Sequence, residues 1–302
     1  MKLSVPMRDG AHLSVEVHGR GRPVVLLHGF GSRGSHWLPN ILPLAHRYRF
    51  VLPDLRGFGD SHDVPFNGSD VFGTFARDVE DVLGHLDLDR VILGGVSMGA
   101  YTALKLNELG SFRRFVKYVH IDQSPRVRND ATWRHGVFGE DQERMFDTFR
   151  RLLSLAERAG VDTEYWNLPS DVRLEMRRAT AEFFCYATNS RLRQAGIRRL
   201  VHRAERLVTR TVMPVRRWSS YLTIMRAYME GADDAYGALG HIRIPVTMMI
   251  GMRSRMYPAE GQLAMSRAIR QARVIRFERS GHVPMLDQPL RFQRALADFL
   301  AS

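Results

Sequence analysis

With 302 residues, 44% of them apolar and 10% aromatic, the chain can bury a large core and is too apolar for disorder. Its length fits one α/β domain carrying an insertion better than two equal domains. The formal net charge of +12 comes almost wholly from arginine, since Lys2, Lys105 and Lys117 are the only lysines. That excess speaks to solubility and nonspecific association and assigns no function. The single cysteine, Cys185, lies in the apolar stretch Phe183-Phe184-Cys185-Tyr186, which excludes an intrachain disulfide and a cysteine metal cluster. Neither a hydrophobic leader nor an apolar run of ~18 residues is present, so the expectation is a cytoplasmic enzyme without a membrane span.

Two β-like runs, Lys2 to Met7 and His12 to His18, flank the turn signal Arg8-Asp9-Gly10 and predict an antiparallel start. Pro23-Val24-Val25-Leu26-Leu27 leads into His28-Gly29-Phe30-Gly31; Trp37 to Tyr48 reads as a helix interrupted near Pro39 and Pro43. A strand at Arg49-Phe50-Val51-Leu52 runs into Pro53-Asp54-Leu55-Arg56-Gly57-Phe58-Gly59-Asp60-Ser61. From Phe72 to Leu86 apolar residues recur at helical spacing. The strand Val91-Ile92-Leu93, a helix from Ala100 and the strand Val116 to Ile121 follow. The alternation then stops: residues 126–240 read as helices only and are taken as an inserted cap. It resumes with a strand at Pro245 to Gly251, a helix over Ala259 to Arg270, a strand over Ala272 to Phe277 and a helix over Leu290 to Leu300. Apolar strands alternating with helices imply a mostly parallel, doubly wound sheet covered on both faces. The α/β core is assigned to residues 1–125 and 241–302, the cap to 126–240.

Gly95-Val96-Ser97-Met98-Gly99 stands between a β-branched apolar run and a helical one. A bare G-x-S-x-G is weak, but the strand-turn-helix setting is what a nucleophilic serine on a sharp turn requires. Serine at its ordinary pKa needs a base within hydrogen-bond reach, and the base needs a third group to orient it. His282, in the loop Ser280-Gly281-His282-Val283-Pro284 after the last strand, is the expected base, whereas His28 reads as a turn residue. By chain order the acid should lie in Gly251-Met252-Arg253-Ser254-Arg255-Met256-Tyr257-Pro258, which holds no carboxylate; Glu260 sits beyond it at a helix start. Asp122, at the end of the strand next to that of Ser97, is therefore the expected acid, the alternative being an Asx-type turn cap. The backbone N–H groups of Met98 and Phe30 are the expected oxyanion donors.

Taken together, His28-Gly29-Phe30-Gly31, the Asp54 to Ser61 segment, Gly95 to Gly99 and Gly281-His282 resemble the α/β-hydrolase superfamily, and within it the cofactor-free esterase, lactonase and haloperoxidase-like branch. The resemblance covers residues 1–125 and 240–302 and leaves the cap unmatched. In that family the position of Ser254 usually carries the acid. Some members place it after the preceding strand, strand 6, and Asp122 matches that arrangement. A serine at 97 argues against the dehalogenase and epoxide-hydrolase branches, which use aspartate there. The resemblance implies acyl transfer: Ser97 attacks an ester, lactone or thioester carbonyl, His282 takes its proton, and water releases the acid.

Trp37, Trp133, Phe138, Trp166, Trp218 and Tyr221, with Phe183 and Phe184, are the candidate pocket lining. No metal or organic cofactor is implied, because no ligand cluster or phosphate-binding glycine loop is recognisable. The basic concentration from Arg191 to Arg217 reads as a solvated helical face, with docking of an acidic carrier protein as the alternative. The expected partner is a small apolar ester, lactone or thioester; nucleic acid is not expected, and a homodimer is left open. A carrier-protein thioesterase, a carbon–carbon bond hydrolase and a hydrolase-like ligand receptor remain alternative functions on the same scaffold.

Overall fold

The computed structural model describes residues 1–160, 163–207, 218–231 and 233–302. Eight strands form one sheet: β1 (Lys2–Pro6), β2 (His12–Gly19), β3 (Arg22–Leu27), β4 (Tyr48–Pro53), β5 (Val91–Val96), β6 (Phe115–Ile121), β7 (Val246–Gly251) and β8 (Ala272–Phe277). The helices of the first half are α1 (Leu38–Ile41), α2 (Val71–His85) and α3 (Met98–Glu108). Between β6 and β7 come α4 (Gln142–Ala159), α5 (Ser170–Ala187), α6 (Arg191–Arg203), α7 (Glu205–Leu207) and α8 (Ser219–Glu230). The chain closes with α9 (Ala259–Ala268), α10 (Pro284–Asp287) and α11 (Pro289–Ala301).

The strand order is β1-β2-β4-β3-β5-β6-β7-β8; β1 and β2 pair antiparallel, β2 meets β4 antiparallel, and all later pairs are parallel. The burial patterns follow from this. β2 alternates buried and partly exposed residues because one face is less covered, whereas β5 is buried along almost its whole length between helical layers. On one face Trp37, Ile41, Phe292, Leu296 and Phe299 pack with β3, β4 and β5. On the other, Phe72, Phe75, Val79 and Tyr101 of α2 and α3 form a cluster that runs on without a break into Phe146, Phe149, Tyr221 and Met225 of the inserted helices. No helix among the described residues is long and apolar enough to cross a membrane.

Local signals explain the boundaries. α2 starts where the Asp70 carboxylate accepts from the Gly73 N–H at 3.0 Å. Pro39 and Pro43 restrict the stretch after Trp37 to short helical turns instead of one helix, and β4 begins at Tyr48. α11 is held at its C-terminus by Lys117, whose buried Nζ donates to the carbonyls of Phe299 (2.6 Å) and Leu300 (3.2 Å).

The parallel register places the site. Leu27 of β3 pairs with Gly95, Val96 of β5 with Ile121, Ile121 of β6 with Met249, and Gly251 of β7 with Phe277 of β8. Five carboxyl ends thus finish level at one edge, where the chain leaves each strand into a loop.

Candidate active site

Ser97 stands between β5 and α3 with φ 54° and ψ −126°, a backbone conformation that side-chain-bearing residues rarely adopt. Gly99 makes the turn feasible: a Cβ there would press into the Leu27 carbonyl oxygen. Met98 is the first residue of α3, so its N–H has no acceptor within the helix and is free to meet an anion. Across from it runs the His28–Phe30 loop, with Gly29 packed against the Ser97 side chain.

That loop is fixed by His28, which is more than the turn residue its sequence context suggests. It is buried; its Nδ1–H donates to the Gly29 carbonyl (2.8 Å), and Nε2 accepts from the Leu55 N–H (3.0 Å). Burial, the largest influence, holds its pKa down at about 4, so the imidazole is neutral and this pattern is stable at neutral pH. The Asp54 to Ser61 segment behind it is a scaffold. Asp54 accepts from the Gly34 and Asp60 N–H groups (2.7 and 2.8 Å), and the buried Arg56 forks onto Asp78 at 2.9 and 2.7 Å.

Asp122 follows β6 directly, also at positive φ (46°), and is fully buried. Four donors converge on it. Oδ1 takes the Gly251 N–H (2.8 Å) and Gln262 Nε2 (3.1 Å); Oδ2 takes Ser254 Oγ (2.7 Å) and His282 Nδ1 (2.7 Å). Because a carboxylate without a proton can only accept, the bond to His282 places the imidazole proton on Nδ1 and leaves Nε2 as the basic nitrogen. Glu260 is exposed and takes no part in this cluster. Tyr257 lines the cavity with Ser97 and has its ring centroid 5.6 Å from that of the His282 imidazole.

The cavity at Ser97 is lined by Phe30, Val137, Phe138, Phe149, Phe183, Met225 and Met256, with Tyr228 and Tyr257 as its other polar side chains; among the described residues no charged one contributes. Its unfilled space of about 20 Å³ holds little more than a water, so a substrate requires side chains to shift. Met225 and Met256 are the most adaptable of them.

Of the aromatic residues expected to line it, Phe138 and Phe183 do. Trp37 lies in the core on the other face of the sheet; Trp133 packs edge-on against His135 and Tyr236 beneath Arg126; Trp166 is about half exposed beside Tyr165. Trp218 sits between Tyr165 and Tyr221, and Tyr221 forms a second layer, its ring 5.3 Å from Phe30 and 5.1 Å from Phe58; Phe184 packs behind Phe183. Hydrophobicity marks all of these for burial, and only the helix orientations decide which face the cavity.

Sequence reasoning missed the buried carboxylate of Asp287. It accepts from the Gly281 N–H (2.7 Å) beside His282 and from Thr188 Oγ1 (2.8 Å) and Arg193 Nη1 (2.8 Å) of the inserted segment. The loop bearing the imidazole is thereby tied to the end of α5, and one arginine of the basic stretch has an internal partner. Arg191, Arg198 and Arg199 of α6 are exposed, while Arg210, Arg216 and Arg217 lie outside the described residues. Among the described residues no group of His, Cys, Asp and Glu could hold a metal ion.

The protein named AB hydrolase superfamily protein YisY of Bacillus subtilis (strain 168) is 25% identical over 292 residues, covering 95% of this chain and 94% of that one. A pimeloyl-acyl-carrier-protein methyl ester esterase of Photobacterium profundum is 25% identical over 94% of this chain and 97% of its own. Among solved structures, an esterase from Exiguobacterium antarcticum superposes with a TM-score of 0.75 at 24% identity, with both chains fully covered, which supports the fold. The model of the alpha/beta hydrolase family matches residues 24–295. Sheet order, the serine turn after β5 and a family match over nearly the whole length agree, and the chain belongs to the alpha/beta hydrolase family.

Proposed function

We propose that the chain is a serine hydrolase of neutral carboxylic esters or lactones, working through an acyl-enzyme on Ser97. The observation that carries this is the buried Asp122–His282 hydrogen bond of 2.7 Å at the same sheet edge as the strained Ser97 turn. Asp122 orients the imidazole and stabilises the imidazolium, Nε2 takes the Ser97 proton as Oγ adds to the carbonyl, and the N–H groups of Phe30 and Met98 receive the oxyanion. His282 then protonates the leaving alcohol, and water enters by the same steps in reverse. The inserted segment serves as a cap: Phe138, Phe149, Phe183, Met225 and Tyr228 cover the serine with apolar side chains, which disfavours a substrate charged near the scissile bond.

Hydrolysis of p-nitrophenyl butyrate and labelling by a fluorophosphonate test the reading. Ser97→Ala abolishes labelling and lowers kcat by about 10⁴ or more, and Asp122→Asn lowers it by about 10²–10⁴. Undiminished turnover in Ser97→Ala refutes it. A carrier-bound acyl substrate is the second reading, favoured by the exposed Arg191, Arg198 and Arg199 on α6 and by the Photobacterium relative. It requires turnover of carrier-linked esters to fall steeply with salt while that of free esters does not.

A further inference from the structure

We propose that Ser254 is a positioning residue for the acid, its hydroxyl holding the Asp122 carboxylate in line with His282. The inference rests on the reading of Asp122 as the acid.

Ser254 Oγ and His282 Nδ1 donate to the same oxygen, Oδ2 of Asp122, each at 2.7 Å. The serine hydroxyl has its direction fixed. Oγ accepts from the Tyr257 N–H at 3.2 Å, so its single proton points at Asp122. The turn that carries it is anchored at both ends. Ser254 N donates to the Gly251 carbonyl (3.0 Å), closing the turn on β7, and Arg253 N donates to the Ser280 carbonyl (2.9 Å), two residues before His282. The same short turn therefore supplies a donor to the carboxylate, a tie to the imidazole loop and, through Tyr257, a wall against the imidazole ring. Gln262 secures the other oxygen: its Nε2 donates to Oδ1 (3.1 Å) and to the Tyr257 carbonyl (3.1 Å). Deleting the Ser254 hydroxyl leaves Oδ2 held by the imidazole alone, and the carboxylate gains freedom to rotate away from the line to Nδ1.

The test measures kcat and KM on p-nitrophenyl butyrate for Asp122→Asn, Ser254→Ala and Ser254→Thr. Proton NMR of the His282 Nδ1–H signal and thermal unfolding are recorded on each. Expected are a kcat loss of at least about tenfold in Ser254→Ala with KM within about twofold, and a displaced Nδ1–H resonance. Ser254→Thr, which keeps the hydroxyl, regains most of that loss. Ser254→Ala with wild-type kcat and an unmoved resonance, beside an impaired Asp122→Asn, overturns this inference alone. An unimpaired Asp122→Asn overturns the acid assignment itself, and this inference with it.

Discussion

Two histidines outside the proposed chemistry make the fold sensitive to mild acid, and the effect can be worked out from their surroundings. His28 binds the Gly29 carbonyl and the Leu55 N–H; His120, near the carboxyl end of β6, donates Nε2–H to the Gln123 carbonyl (2.8 Å) and accepts from the Tyr118 hydroxyl (2.8 Å). Both are wholly enclosed, and burial pushes each down from the usual 6.5 to about 4. Below pH 6.5 the unfolded chain takes up a proton on each imidazole that the folded chain refuses until about pH 4. Stability is therefore full above the unfolded value and falls as pH drops through this window. At pH 5 each site costs about 2 kcal/mol relative to a neutral pair of states, or about 4 kcal/mol together, a large part of the roughly 5–15 kcal/mol typical of a folded domain. Asp54 and Asp78, which burial holds above the ordinary carboxylate range, act in the opposite sense at lower pH, so pH 7 and pH 5 are the points to compare. Urea unfolding at half-unit intervals, extrapolated to water, measures the slope. His120→Gln lowers stability at pH 7 but removes about half of the pH dependence. An unfolding free energy at pH 5 within about 0.5 kcal/mol of that at pH 7 would refute the reasoning, as would an unchanged slope in the variant.

Two shorter predictions concern the loops around the proposed nucleophile. A Cβ at Gly29 would stand 3.2 Å from Ser97 Cβ and 3.8 Å from Oγ. Gly29→Ala is therefore expected to lower kcat/KM about tenfold or more with little change in thermal midpoint; wild-type activity would remove the oxyanion loop from the argument. Asp287→Ala leaves the Gly281 N–H and Thr188 hydroxyl without their acceptor and unties His282 from α5. It should cost about 1–3 kcal/mol in urea unfolding and lower kcat, and a loss confined to stability would show that the tie has no bearing on the imidazole.

The chain order of strands and helices was readable from hydrophobic period and punctuation. Continuous apolar runs such as Val91-Ile92-Leu93 could only be strands buried on both faces, and the glycines around Ser97 marked a sharp turn. His282 stood out because its loop follows the last strand. The departure at Ser254 was visible as a missing carboxylate, and chain adjacency pointed to Asp122. What the sequence left unresolved is lateral. Which aromatic residues cover Ser97 depends on how α4, α5 and α8 rotate about their axes, and a helical period says only that a face is buried, not what it faces. Trp37 and Phe138 are both apolar and both enclosed, on opposite sides of the sheet.

By itself the sequence determined the family, the strand-turn-helix at Ser97 and the candidates for base and acid, since these depend on residue type and on neighbours along the chain. Only the tertiary structure decided that four donors from β7, its following turn, α9 and the last loop converge on Asp122. Those contacts span 129 to 160 residues of sequence. They exist because parallel register brings the ends of β6, β7 and β8 level, a consequence of strand pairing that no local pattern encodes.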